Sequence, residues 1–262
     1  MRIPRLAVAV GGATGCVATA GVVKQSARRA LYPRRQGPDI RLGHDLEVIR
    51  THGDHPTYAL FGAATGAMTA VYLHGNGTPV GGSLGTLRAL SDRGFGVAAV
   101  EYPGYGPSPG RPTEASITAS VLGALDYLTE RCDVHPAQIL LVGRSLGCAV
   151  AIAVAARGYG SRMVLAAPFT SAADVFRAHC SWLPARLMLS SERWDSLATA
   201  ARVTVPTRVL HGTEDEVIPF RMGEDLAAAL PHAELVALPG KGHDDISPEE
   251  IAQACVAIAD TA

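Results

Sequence analysis

Gly143-Arg144-Ser145-Leu146-Gly147 sets one hydroxyl between two glycines, after the apolar run 139–142 and before an Ala-rich stretch with helical spacing. Strand, sharp turn and helix in that order form a nucleophile elbow. Glycines at 143 and 147 let strand and helix approach without Cβ clashes. The Ser145 hydroxyl then stands above the positive end of the following helix. A serine hydroxyl is a poor nucleophile at neutral pH and needs a base that is itself oriented by an acid. Both follow Ser145. His211-Gly212-Thr213-Glu214-Asp215-Glu216 succeeds one apolar run, and Gly240-Lys241-Gly242-His243-Asp244-Asp245 succeeds the next. Serine, acid and histidine in this order are those that accompany the elbow, and acyl transfer is the chemistry they could do.

The elements that must position these groups follow from apolar spacing. Short strands are expected at 46–51 and 56–61, joined by a turn at His52-Gly53-Asp54-His55. Further strands are expected at 69–73, 96–100, 139–142, 163–166, 207–210 and 234–238. Between them, helices fit 83–93, closed by Gly94, then 113–131 behind Thr113 as N-cap, the elbow helix to about 157, and 220–230. Ser247-Pro248-Glu249-Glu250 is a capping box with proline at the first helical position, opening the last helix. Near-continuous apolar strands alternating with helices imply an α/β fold, a mostly parallel sheet with helices on both faces. Residues 168–202, containing Trp182, Pro184, Met188 and Trp194, break the rhythm and suit a small lid insertion.

From about residue 46 to the end, the chain resembles the α/β-hydrolase fold, in particular the serine hydrolases of the membrane-associated ABHD/Bem46 type. The matching residues are His74-Gly75-Asn76-Gly77, Glu101-Tyr102-Pro103-Gly104-Tyr105-Gly106, Gly143-Arg144-Ser145-Leu146-Gly147, Ala167-Pro168-Phe169-Thr170-Ser171, His211-Gly212-x-x-Asp215 and Gly242-His243. There are two departures. Glu101 stands where the family usually carries Asp, and the insertion before the acid strand is short. The resemblance implies Ser145 as nucleophile, His243 as base and Asp215, by its spacing from His211-Gly212, as the acid in preference to Glu214 or Glu216. It also implies an oxyanion hole from the backbone N–H groups of Leu146 and Asn76.

Each of these residues has a plainer reading. Asp215 alone is a turn residue, and His243 alone a solvated loop histidine. Tyr105 either lines a substrate pocket or anchors its loop, and Arg144 either steers an anionic substrate or packs on the elbow. His74 and His211 suit support of loop backbone; Asp244 and Asp245 suit helix capping or solvent. Serine, aspartate and histidine each following a strand, in order, weigh against the separate readings.

Composition narrows the rest. At 262 residues, 48% of them hydrophobic, the chain can bury one large core. A net charge of -1 without a long basic block argues against nucleic acid as a partner. Cys16, Cys132, Cys148, Cys180 and Cys255 are dispersed and odd in number, which suits structural thiols in a reducing setting rather than a disulfide framework. Cys148, behind the nucleophile, reads as core. His52-x-x-His55 has metal-ligand spacing but no third ligand nearby, and a solvated turn fits better.

Three readings compete at the amino terminus, where the 18 residues 6–23 carry no charge. Ala18-Thr19-Ala20 resembles a signal-peptide cleavage site, which would make the protein secreted. The apolar length just reaches a membrane-spanning helix. The run into Gly11-Gly12-Ala13-Thr14-Gly15 resembles a phosphate-binding turn. That third reading needs an acidic residue about 20 positions on, where the chain is instead basic (Lys24, Arg28, Arg29, Arg34, Arg35). The same basic residues outnumber Arg2 and Arg5 ahead of the run, which favours a membrane anchor with the catalytic domain cytoplasmic. Residues 1–23 are thus an anchor or signal segment, 24–45 a basic linker or docking segment, and 46–262 the hydrolase domain.

The expected activity is a serine hydrolase that cleaves carboxylic esters or thioesters, lipid-like or acylated small molecules among them, through an acyl-enzyme on Ser145. No metal or organic cofactor is required. A serine peptidase of the same fold and a non-catalytic hydrolase-fold binding module remain the alternatives.

Overall fold

The structure, a computed structural model, describes residues 25–26, 29, 31–33, 46–51, 55–180 and 184–260. Apolar runs become strands where both faces can be covered. β3 (Thr69–Leu73) and β4 (Gly96–Val100) are buried throughout, as is β5 (Ile139–Arg144) up to Gly143. With β1 (Glu47–Arg50), β2 (Tyr58–Gly62), β6 (Arg162–Ala166), β7 (Thr207–Gly212) and β8 (Ala233–Leu238) they form one sheet in the order β1-β2-β4-β3-β5-β6-β7-β8. β1 and β2 pair antiparallel, and β2 pairs antiparallel with β4. From β4 to β8 every neighbour is parallel.

Helices cover both faces, as expected: α1 (Leu84–Ser91), α2 (Glu114–Arg131), α3 (Leu146–Ala155), α4 (Ala172–His179), α5 (Ala185–Met188), α6 (Ser196–Ala200), α7 (Phe220–Ala229) and α8 (Pro248–Ala259). Alternation along β3 sends Val71 and Leu73 into one core with α2, α3 and α7, and Ala70 and Tyr72 into the other with α1 and α8. α3 has almost no polar side chain and is buried nearly all round. It lies against β3, β5 and β6 on one side and α2 and α6 on the other.

Helix boundaries follow the capping chemistry. Thr113 accepts the Ser116 N–H at the start of α2, and Ser247 accepts the Glu250 N–H at the start of α8. α1 ends in a Schellman turn: the Gly94 N–H reaches Ser91 O (2.8 Å) and the Phe95 N–H reaches Leu90 O (3.3 Å). Among the described residues, no helix is long and apolar enough to cross a membrane. The readings of residues 6–23, the glycines at 11–15 and His52 lie outside the described residues.

Between β6 and β7 the chain makes the three short helices α4, α5 and α6, where the insertion was expected. Tyr32, in the stretch expected as a linker or docking segment, is 4% exposed. Its hydroxyl donates to Glu192 Oε2 (2.7 Å) and accepts from Trp194 Nε1 (2.7 Å). The same Glu192 oxygen takes the Glu114 backbone N–H (2.7 Å), while Glu114 Oε2 takes the Trp194 N–H (2.9 Å). The insertion is thus tied both to the start of α2 and to the amino-terminal segment. Burial, then the Glu192 charge, pushes the Tyr32 phenol far up, so it stays a donor. Tyr32→Phe removes a buried donor from Glu192 and an acceptor from the indole. The expected loss is about 1–3 kcal/mol in a denaturation measurement.

Candidate active site

The serine sits where few side chains tolerate the backbone. Ser145 has φ 51 and ψ -115, between the end of β5 and the start of α3. The turn is tight because α3 passes directly over the end of β3. A Cβ on Gly147 would collide with the Leu73 carbonyl, and nothing larger than hydrogen fits. Gly147→Ala is therefore expected to push β3 and α3 apart. A melting curve should show a loss of about 3 kcal/mol or more, at the upper end for overpacking.

β3, β5, β7 and β8 are parallel, so the loops after them emerge at one end of the sheet. A Cβ on Gly75 would lie 3.4 Å from Ser145 Cβ, which places the loop after β3 against the elbow. His243, after β8, brings Nε2 to 3.2 Å from Ser145 Oγ. Its Nδ1 lies 2.7 Å from Asp215 Oδ2, in the loop after β7. A carboxylate can only accept, so the ring proton belongs on Nδ1 and leaves the Nε2 lone pair facing the hydroxyl. Such a ring can take the serine proton, and the acid holds the resulting imidazolium. His243 is 13% exposed at its side chain while Asp215 is fully covered, so solvent reaches the base but not the acid.

Asp215 is held by more than His243. Its Oδ1 accepts the N–H groups of Val217 (2.8 Å) and Ile218 (2.7 Å). Burial alone would raise its carboxyl, but the nearby His211 ring, the hydrogen bond from His243 and the Ile218 N–H outweigh that and hold it well below the usual carboxylate range. Glu214 and Glu216, its neighbours in sequence, point to solvent.

Leu146 is the first residue of α3, so its N–H has no acceptor within the helix. Asn76, in the loop after β3, has its Oδ1 bound by the Tyr105 hydroxyl (3.1 Å). These two backbone N–H groups are the ones expected to face an oxyanion.

Tyr105 and Arg144 each have two readings from the sequence, substrate contact or support of a loop, and both make contacts of the second kind. Tyr105 is 0% exposed and braces Asn76, so it is a loop anchor. Arg144 is one-quarter exposed; its guanidinium donates to the His243 carbonyl (3.4 Å) and to Asp244 Oδ1 (3.3 Å). It clamps the loop that carries the base. Asp244 is exposed, and Asp245 caps its own turn by accepting the Gly242 N–H (2.8 Å), while Ser247 caps α8. Cys148 is buried, with its thiol on the Gly143 and Ala166 carbonyls, and burial pushes its pKa far up. Cys132, Cys148, Cys180 and Cys255 are free. Among the described residues no three His, Cys, Asp or Glu side chains form a group that could hold a metal.

Glu101 has a role the sequence flagged only as a departure from the family pattern. From the end of β4 its Oε2 accepts the Val80 N–H (3.1 Å), and its Oε1 lies 3.2 Å from His74 Nε2 at an angle too poor for a hydrogen bond. His74 stacks on Tyr102 with ring centroids 3.9 Å apart, and the Tyr102 hydroxyl donates to the His74 carbonyl. Both ends of the 74–80 loop are thereby fixed. A carboxylate directly after a fully apolar strand was the available signal. A second brace is His179 at the end of α4, whose ring lies 2.8 Å from the Val217 carbonyl and so ties the insertion to the acid loop.

Known proteins resemble this chain in sequence and in fold. A family model described as serine aminopeptidase, S33, matches residues 66–194. The uncharacterized protein Rv2307c of Mycobacterium tuberculosis is 34% identical over 83% of this chain and 80% of its own length. Alpha/beta hydrolase domain-containing protein 17C of Mus musculus is 31% identical over 70% of this chain and 57% of its own length. Among solved structures, the Pyrococcus furiosus esterase Pf2001 superposes with a TM-score of 0.71 at 16% identity, over 87% of this chain and 97% of that one.

Proposed function

Since the chain belongs to the α/β-hydrolase family, as an ABHD-like member, we propose that it is a serine hydrolase cleaving carboxylic esters or thioesters of small acylated molecules. The observation that carries this reading is the continuous hydrogen-bonded series from Asp215 through His243 to Ser145, at 2.7 and 3.2 Å. Ser145 Oγ attacks the acyl carbon as His243 Nε2 takes its proton. The Leu146 and Asn76 N–H groups receive the negative oxygen, each such donor being worth about 3–4 kcal/mol of barrier. The tetrahedral adduct collapses, His243 returns the proton to the leaving alcohol or thiol, and an acyl-enzyme remains. Water then attacks with His243 as base, releasing the acid and restoring the hydroxyl.

The apolar segment expected as an anchor at residues 6–23 supports an acylated, lipid-like substrate, and the basic residues after it support a cytoplasmic domain held at a membrane. Release of the full chain from membranes by carbonate wash would count against a spanning anchor.

The family model's description favours one second reading, cleavage of an aminoacyl amide, in which the same histidine protonates the amine. A panel of esters and thioesters of graded chain length, with an aminoacyl amide beside them, separates the two. Labelling by a fluorophosphonate probe is expected whichever bond is cleaved. A folded wild-type protein that is neither labelled nor active on the panel would instead be a hydrolase-fold binding module.

A further inference from the structure

Beneath Asp215 lies a second imidazole. His211, at the end of β7, is fully buried, with Nε2 2.9 Å from the Ile218 carbonyl and 3.4 Å from Asp215 Oδ2. Both groups can only accept, so the ring proton is on Nε2, where it is bonded to the Ile218 carbonyl and faces Asp215 Oδ2. Nδ1 is then a bare lone pair, and it is buried without a partner, directed at the close-packed Gly223 on α7. An apolar side chain would fill this space without orphaning a nitrogen, which costs stability. The orphan Nδ1 therefore points to Nε2 as the reason for a histidine here.

We infer that His211 is a positioning residue for the proposed reaction: its Nε2–H, bonded to the Ile218 carbonyl and 3.4 Å from Asp215 Oδ2, holds the acid and its loop where that oxygen orients His243. Ile218 closes the unit, since its N–H binds Asp215 Oδ1 and its carbonyl receives His211. Asp215 thus has two backbone donors on Oδ1 and a second imidazole facing Oδ2 beside His243, which keep it from rotating or turning to solvent. His211 touches no substrate and acts only through the acid. This inference rests on Ser145, His243 and Asp215 acting as proposed above.

The test compares His211→Gln, His211→Asn and His211→Leu in the full chain by the rate of fluorophosphonate labelling. A glutamine amide nitrogen falls near the position of Nε2, whereas an asparagine amide falls near Nδ1. His211→Leu and His211→Asn are expected to slow labelling about 10- to 100-fold, the rate equivalent of one hydrogen bond to a charged group. His211→Gln is expected to recover to within about threefold of wild type, because it restores the one bond that matters. Proton NMR supplies a readout that a packing role would not move. The low-field resonance of the His243 Nδ1–H should shift or broaden in His211→Asn and return in His211→Gln. Equal labelling by folded His211→Asn and wild type overturns the inference and leaves the hydrolase reading standing, as does His211→Gln no faster than His211→Asn. An unlabelled wild type overturns both together. Should His211→Leu fail to fold, the Gln and Asn pair still decides.

Discussion

Ser145→Ala is expected to lower hydrolysis of the best ester in the panel by about 10⁶-fold and to abolish fluorophosphonate labelling. The fall is this large because no other group takes the hydroxyl's place. Cys148, three residues on, is buried with its thiol on backbone carbonyls and cannot reach the substrate side. A residual rate above that in water, about 10³-fold or more, should survive from the oxyanion donors and binding alone. Steady-state kinetics with active-site titration of the wild type checks both figures. The backbone adds a second expectation. Alanine at φ 51 keeps the strain of the turn, whereas Ser145→Gly relieves it and should raise stability by about 1–2 kcal/mol while remaining inactive. A glycine variant that melts at or below the wild-type temperature would show that the turn is not strained.

Asp215→Asn is expected to cost about 10⁴-fold in kcat without unfolding the protein. The reason lies in the two N–H groups of Val217 and Ile218, which face Oδ1 at 2.8 and 2.7 Å. They compel the asparagine to place its carbonyl oxygen there, so its NH2 takes the position of Oδ2 and points at His243 Nδ1. The imidazole must then accept at Nδ1 and carry its proton on Nε2, where it has no lone pair for the serine. His211 Nε2 meets the same NH2, which adds a donor-to-donor contact. A folded variant within tenfold of wild-type kcat would show that Asp215 is not the orienting acid. Acid stability offers an independent readout. Burial opposes the charge of Asp215, but the facing His211 ring and the bonds from His243 and Ile218 hold its folded-state pKa below the unfolded value of about 3.9. Its carboxylate therefore stabilises the fold fully above the unfolded value and loses that contribution as pH falls through the folded one. The asparagine variant should lose this part of the acid transition.

Local signals carried much of the molecule. The strands at 69–73 and 96–100 are continuous apolar runs, which suit strands covered on both faces. Thr113, Ser247 and Gly94 mark helix ends because capping is settled within a few residues of chain. The elbow was legible for the same reason: Gly143 and Gly147 answer a steric demand that five residues and their flanking elements create between them. The spacing of Asp215 from His211-Gly212, and of His243 after Gly242, marked the other two positions through resemblance to a known pattern.

What each side chain would bind was a different matter. Arg144 admits two readings in the sequence, steering a substrate or packing on the elbow; strand order places the loop after β8 beside it, and its guanidinium meets the His243 carbonyl 99 positions away. Tyr105 is aromatic and glycine-flanked, as a pocket residue could be, but it is sealed under Asn76. Tyr32 and Glu192 are 160 residues apart and no periodicity links them. By itself the sequence determined which segments become strands, helices and turns, and where a nucleophile could stand, because those outcomes depend on neighbours along the chain. Only the tertiary structure decided the partners of the polar side chains. Those depend on which strands lie adjacent and in what register, and a hydrogen bond tolerates an error of only a few tenths of an ångström.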